Sequence, residues 1–451
     1  MSISGEPLRI VDRVLETARS AGASEADAVF VEWRSAAAQV RLGDVETVKM
    51  STERRLGLRC FSGRASAVAS TADLTGDAVE KFARDVVDMA KIVAEDPDAG
   101  LPAPDDLATE HPDLGLADDA WDSISPDDRV RLATECERAA LDVDRRLTNS
   151  EGAEFSHSGG HVGYGSTAGF QGSYRTTGYS ISAAPVASDG DEMQRDSWHD
   201  SSRAYANLAS TAEVGRIAAE RTLRRLHARK VSTQTVPVVF DSVTAASLMR
   251  HLASAVCGGA LYHRASFLLD RLGEDVAAPG VTVVDDGRLA SGLSSRPFDG
   301  EGLATRRNVV VEKGRLSSYL LDSYSGRKLG MPSTGNASRS VGDTPGAAPS
   351  NFYLEAGTSS PEEIVRSVDS GLYVTTLSGF GVNGVTGDYS RGAGGLWIEN
   401  GELTHAVEEI TIAGNLLEML RDIQMVGNDL EFRSSICSPT LLIGRMTVGG
   451  S

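Results

Sequence analysis

The sequence predicts an α+β fold in two domains. The N-terminal one combines helices with an antiparallel sheet, and the C-terminal one is β-rich with interspersed helices. Three observations carry this expectation. Short alternating runs broken by glycine recur through the chain. Stretches with apolar residues at helical spacing sit between them. A capped helix followed by an apolar strand near residue 230 separates the two blocks, giving expected domains of 1–230 and 231–451. At ~150 residues per domain, the length admits two large domains or three smaller ones.

Pro7 to Ala21 reads as a helix. Pro7 suits a first turn, Leu8, Val11, Val14, Leu15 and Ala18 recur at helical spacing, and Gly22 suits its end. ADAVFVEWR (27–35) alternates as a strand, and 37–50 and 55–70 continue it as a meander with hairpin turns. Residues 75–93 are helical through Val79, Phe82, Val86 and Ala90. Residues 95–126 hold five of the fifteen prolines, and the acidic, proline-rich stretch 92–128 reads as a solvated surface excursion. A helix follows at about 127–142, then a second antiparallel sheet over 149–206. Ser210-Thr-Ala-Glu213 is a capping-box pattern opening a helix to about Leu226. TVPVVFD (235–241) is a strand, and Val243 to Cys257 is a helix closed by Gly258-Gly259. Further helices are expected at 361–371 and 413–422.

Composition bounds the function. Hydrophobic residues at 41% and charged residues at 24% suit a globular chain, and no apolar stretch is long enough to span a membrane. The start MSISGEPLRIVDR lacks an apolar core after a basic end, so no signal peptide is expected. Cys60, Cys136, Cys257 and Cys437 are far apart with no CxxC pair, which argues against a disulfide framework and for a cytoplasmic chain. Net charge is −19, and twelve acids without Lys or Arg in 92–128 supply most of it. An acidic chain without a basic stripe is a poor nucleic-acid binder.

Candidate motifs are weak one by one. Gly379-Phe-Gly381-Val-Asn-Gly384 matches a dinucleotide pattern, but VTGDYSRGAGG follows, which cannot open the required helix. The glycines read instead as turns and close backbone approaches. His157 and His161 lie four apart in a β-like stretch, ~13 Å apart along a strand, too far to share a metal, and read as a solvent-exposed pair. His199 beside Asp200 is no triad without geometry. Asp285-Asp286 and Glu408-Glu409 read as turn and surface acids. The helix SLMRHLASAVCGG is informative by what it lacks. A zinc-protease helix needs two His on one face and a Glu between them, and here His251 stands alone.

The chain resembles the TldD/PmbA family, two-subunit zinc metallopeptidases also called modulators of DNA gyrase. The resemblance rests on ASFLLDRLGEDV (265–276), SRPFDGEG (295–302), TRRNVVVEKGRLSSYLLDSYSGRKLG (305–330), STGNA (333–337), YLEAGTSSPEEIV (353–365), TGDYSRGAGGLWIENGEL (386–403), EEITIAGNLLEML (408–420), GNDLEF (427–432) and PTLLIGRMTVGG (439–450). ERRLGLRCFSGRASAVAST (53–71) is similar to the family's first domain. In the TldD branch the resemblance implies an H-E-x-x-x-H helix plus a later Cys ligand. This chain is similar to the PmbA (TldE) branch, which lacks that helix and pairs with the first. With His251 on the first His, Leu252 and Val256 take the Glu and second His positions. In the other register these three positions fall to Ala253, Ser254 and Gly258. Cys437 is either a remnant ligand or a small core residue.

The resemblance implies a heterodimer with a TldD-type subunit that carries the zinc, acting on extended, unfolded or modified peptides, including natural-product precursors. In this chain no catalytic residue, metal or cofactor is expected. Glycines permit close backbone approach, so 379–395 is the candidate cleft segment, with Gly387, Asp388, Tyr389, Ser390, Arg391 and Gly392 as candidate peptide contacts. A strand edge of the C-terminal domain is a further means of holding an extended peptide. Two alternatives stay open: a homodimeric peptide-binding protein without catalysis, and an independent hydrolase using a Ser or Cys257.

Overall fold

The computed structural model describes residues 6–450. The expectation of no signal peptide falls partly on residues 1–5, which lie outside the described residues. The chain is α+β, with long antiparallel strands in the first half. They form one seven-stranded sheet, not the two expected, because Glu25–Arg41 pairs along its length with Leu147–Ser166; the order is Ala65–Thr71, Asp44–Ser62, Glu25–Arg41, Leu147–Ser166, Gln171–Asp189 and Glu192–Arg195, with Trp198–Ser202 also paired to Gln171–Asp189. Successive side chains point to opposite faces. Ala28 and Phe30 of the central strand face the helices Glu6–Ser20 and Gly76–Ala90 and bury Val11, Val14, Val79 and Val86 against them. A second cluster around Leu132, Phe155, Ile181 and Val214 seats the helices Pro126–Leu141 and Thr211–Leu223. The Ser210 hydroxyl accepts from Glu213 N at 3.2 Å, as the capping pattern predicts.

The opposite face of this sheet receives the second half of the chain. Val29 packs with Tyr164, Phe170 and Phe298. Asp27 is fully buried between two arginines, 3.0 Å from Arg59 Nε and 2.5 Å from Arg339 Nη1. Burial alone drives its pKa up, but the Arg339 and Arg59 charges outweigh that and hold the carboxyl below its usual range. Gly57 completes the contact. A Cβ there would lie 1.6 Å from the Val341 carbonyl oxygen, so this close approach of backbones requires glycine.

The acidic stretch differs from the expected solvated excursion. It is a strap across the two halves. Ala99, Leu101, Leu114 and Leu116 are buried. Arg327 Nε donates to the Asp98 carbonyl at 2.6 Å, the Tyr324 hydroxyl donates to Asp96 at 2.6 Å, and Lys328 Nζ lies 2.8 Å from the Asp98 carboxylate. On its far side the Leu114 carbonyl accepts from Ser291 N and the Leu116 carbonyl from Thr177 N. Four apolar residues without a period were enough to anchor it, and no periodicity signal exists for such a segment.

In the second half the strands Glu402–Asn415, Asp388–Glu399, Ser370–Ser378, Gln234–Phe240 and Leu441–Gly449 pair in that order, and the last returns to the first through Thr411 opposite Gly449. The ring of pairings closes as a small barrel, with Ile423–Val426 added on Leu441–Gly449. Gln234–Phe240 and Ser370–Ser378 are parallel. A separate five-stranded sheet comprises Arg315–Leu316, Arg307–Glu312, Val283–Asp286, Phe352–Leu354 and Ile436–Cys437. The helix Ser242–Val256 packs into the largest core, among Val238, Phe240, Leu372, Ile410 and Leu441.

Three boundaries differ from expectation. Gly258-Gly259 does not close the helix. Cys257 is extended, and Gly258 opens a further turn, Gly258–Tyr262. The helix expected at 361–371 stops at Arg366, because Ser370 begins a barrel strand. The one expected at 413–422 begins only at Leu416, because barrel pairing holds the strand through Asn415.

Candidate functional site

The strand Gln234–Phe240 leads through Asp241 directly into the helix Ser242–Val256. Asp241 Oδ1 accepts from Thr244 N at 2.8 Å, and Arg221 Nη1 lies 3.0 Å from its other oxygen. The helix is thus capped and tied to the N-terminal half. Leu248, Met249, Leu252, Ala253 and Val256 face the core. Leu252 and Val256, or Ala253 and Gly258, are therefore apolar packing positions. At Gly258 even a Cβ would lie 2.1 Å from Ser325 Oγ. The Ser254 hydroxyl donates to the Arg250 carbonyl at 3.0 Å. Among the described residues no three His, Cys, Asp or Glu side chains gather as a metal site requires. The residues of this helix do not fit zinc.

The helix has one polar stripe, Ser247, Arg250, His251 and Ser254, and it borders a cavity of about 410 Å³. The facing wall is the hairpin 379–392, which contributes Gly379, Phe380, Val382, Gly384 and Arg391. Val382 bridges Tyr389 across the hairpin, and Ser390 N donates to the Gly381 carbonyl at 2.6 Å. A Cβ at Gly381 would lie 1.8 Å from the Ser390 carbonyl oxygen, which is why glycine stands there. Strand and hairpin continue where a nucleotide-binding helix would have to begin.

The six candidate contacts divide sharply. Arg391 lines the cavity. Tyr389 is buried, its ring edge-on to His251 with centroids 6.2 Å apart. Gly387 is buried with φ +81°, a left-handed conformation that favours glycine. Asp388 is exposed and accepts from the Thr386 hydroxyl at 2.6 Å. Ser390 is exposed away from the cavity wall, and Gly392 abuts the Ser378 side chain. From Gly392 to Glu399 the strand pairs with Ser370–Ser378 on one side and Glu402–Thr411 on the other. No edge is left there for an added strand. The stretch 387–392 presents side chains, not a strand edge.

Burial pushes the Tyr389 phenol up to about 12, against the opposing Arg391 charge. Burial, Arg391 and Arg250 together depress His251, which favours neutral imidazole. His251 Nε2, Tyr389 Oη and Arg391 Nε are all buried without a hydrogen-bond partner. In the sequence His251 is a lone histidine on this helix. Its place in a polar stripe at 247, 250, 251 and 254 on an apolar helix was the available signal.

Other candidates fall elsewhere. His157 and His161 are buried, not solvent-exposed. They lie on the helix-bearing face of the sheet, where His157 stacks on Trp121 and sits 3.2 Å from Arg129. Burial and Arg129 push the His157 pKa down to about 4. Asp285 and Asp286 are buried rather than surface acids. Asp285 accepts from Asn336 Nδ2 and Ser350 N, both at 2.6 Å, and burial raises it to about 6. Glu409 is exposed and pairs with Lys230 at 2.8 Å. His199 is exposed, and Asp200 accepts from Ala209 N. Cys437 is buried with Val284 and Tyr353. Among the described residues no helix is long and apolar enough to cross a membrane.

Three family models tile the chain: PmbA/TldA metallopeptidase domain 1 at 26–90, the central domain at 119–226 and the C-terminal domain at 233–450. The chain is 37% identical over 445 residues to the metalloprotease PmbA of Escherichia coli O157:H7, covering 98% of this chain and 96% of that one. It is 38% identical over 443 residues to the PmbA homologue of Haemophilus influenzae, with 98% and 95% covered. A crystal structure from Bacteroides thetaiotaomicron, described as a modulator of DNA gyrase, superposes with a TM-score of 0.91 at 28% identity over 98% of both chains. On these matches, and with the zinc-helix positions occupied by apolar core residues, the chain belongs to the PmbA/TldD metallopeptidase family, on its PmbA branch.

Proposed function

We propose that this chain is a non-catalytic, TldE-type subunit that pairs with a TldD-type chain bearing the H-E-x-x-x-H helix. The pair trims extended, unfolded or modified peptides in the cytoplasm. The zinc and the general base belong to the partner, and this chain completes the cleft.

The helix Ser242–Val256 carries this reading. Leu252, Ala253 and Val256 are core residues there, and none can activate a metal-bound water. The hairpin 379–392 and the polar stripe supply the surface this chain contributes to the cleft. An independent thiol hydrolase is disfavoured by Cys257, whose thiol burial raises to about 12, so that little thiolate exists at neutral pH.

Co-expression with a TldD-type chain tests the reading. A heterodimer with EDTA-sensitive peptidase activity is expected, with neither chain active alone. EDTA-sensitive hydrolysis by this chain alone would overturn it. Natural-product maturation is one setting for such a pair, and a precursor peptide from a neighbouring gene is the substrate to assay.

A further inference from the structure

The cavity between the helix Ser242–Val256 and the hairpin 379–392 has an unusual charge balance. Its wall carries Arg250, His251 and Arg391 and no Asp or Glu. This occurs in a chain with a net charge of −19. Neither Arg250 nor Arg391 has an ion pair among the described residues. Buried polar atoms left unpaired are costly, and two residues of this wall carry one each, Arg391 Nε and His251 Nε2. Tyr389 lies buried behind this wall, its ring edge-on to His251. The rest of the wall is small or apolar, including Ala255, Ala260, Ala265 and Phe267.

We propose that this cavity binds a carboxylate of an extended peptide, with the Arg391 guanidinium as its ion partner and Arg250 adding positive charge to the same wall. A guanidinium fork matches the two oxygens of a carboxylate, and a desolvated, acid-free wall strengthens that pairing. A carboxylate of a peptide is either its C-terminus or an Asp or Glu side chain, and the cavity chemistry suits both. This deepens, and rests on, the peptide-handling role proposed above. The chain thus anchors one point of the peptide while the partner performs the chemistry.

The test is calorimetric titration of the full chain, alone and paired with a TldD-type chain. Three acetylated hexapeptides are compared: one with a free C-terminus and no acidic side chain, its C-terminal amide, and the amide with one internal Asp. At least one carboxylate-bearing peptide is expected to bind roughly tenfold or more tightly than the neutral amide. The peptide that does so identifies the carboxylate source. Arg391→Gln is expected to abolish the discrimination, and Arg250→Gln to reduce it several-fold. Equal binding of all three peptides, no binding of any, or full discrimination in folded Arg391→Gln would overturn the proposal. Pairing and peptidase activity are read on the same preparations. If the chains pair and hydrolyse peptides without discrimination, this inference fails and the subunit role stands. If the chain discriminates but never pairs, the reverse holds.

Discussion

The ring of Tyr389 meets that of His251 edge-on, with centroids 6.2 Å apart and planes at 80°. The lone histidine of the zinc-helix region therefore has an aromatic neighbour and two arginines around it, and no second ligand. Positive charge from Arg250 and Arg391 at the same imidazole opposes a divalent cation.

From this, His251→Ala is expected to leave the zinc content of the heterodimer unchanged. Metal analysis of the purified pair by mass spectrometry checks it. Loss of zinc in the variant would place a ligand on this chain.

A single substitution toward the metallopeptidase motif is expected to damage the fold instead of creating a site. Leu252→Glu puts an uncompensated carboxylate into the core around Leu248 and Phe240. The expected cost is about 3–5 kcal/mol, comparable to a broken buried ion pair. Denaturant unfolding of the full chain measures it, and a loss below about 1 kcal/mol would show that the position is not core.

The two halves are joined at Asp27, which faces Arg59 and Arg339 from the buried side of the sheet. Asp27→Asn leaves Arg339 without its carboxylate and Arg59 with only Glu301, 3.7 Å away. A destabilisation of about 3–5 kcal/mol is expected, with faster proteolysis in the strap at 92–128. Wild-type unfolding and proteolysis in the variant would remove this network from the account of domain docking.

His157 gives a pH signature. Its pKa is about 4 in the folded chain, lowered by burial and Arg129, against about 6.5 when unfolded. The unfolded state thus binds the extra proton first. Stability from neutral His157 is present above pH ~6.5 and is lost progressively as pH falls toward 4. Unfolding curves of wild type and His157→Gln between pH 4 and 8 should diverge over that window, the wild type losing more. Parallel curves would show that the ring is solvated.

Much of the fold was legible because its signals are local. The helix Glu6–Ser20 follows from apolar spacing and a first-turn proline. The long strands follow from alternation. What escaped was set by tertiary packing. Asp285-Asp286 reads as a turn, yet bonds from Asn336 and Ser350 allow Asp285 to be buried. The strap at 92–128 looks like linker because its partners, Tyr324, Arg327 and Lys328, lie over two hundred residues away. The glycine-rich segment forms one wall of the cavity, and Arg391 lines it. The opposing wall, Arg250 and His251, was hidden by judging the histidine only as a metal ligand. A missing motif was plain in the sequence, whereas the cavity needed two distant segments brought face to face.

A chain that lacks its own metal centre and serves a metal-bearing partner must be isolated with that partner. Native mass spectrometry of the tagged chain isolated from its own host reads partner mass and bound zinc together. A heterodimer in which zinc stays with the other chain on dissociation is expected. Zinc retained on this chain would contradict it.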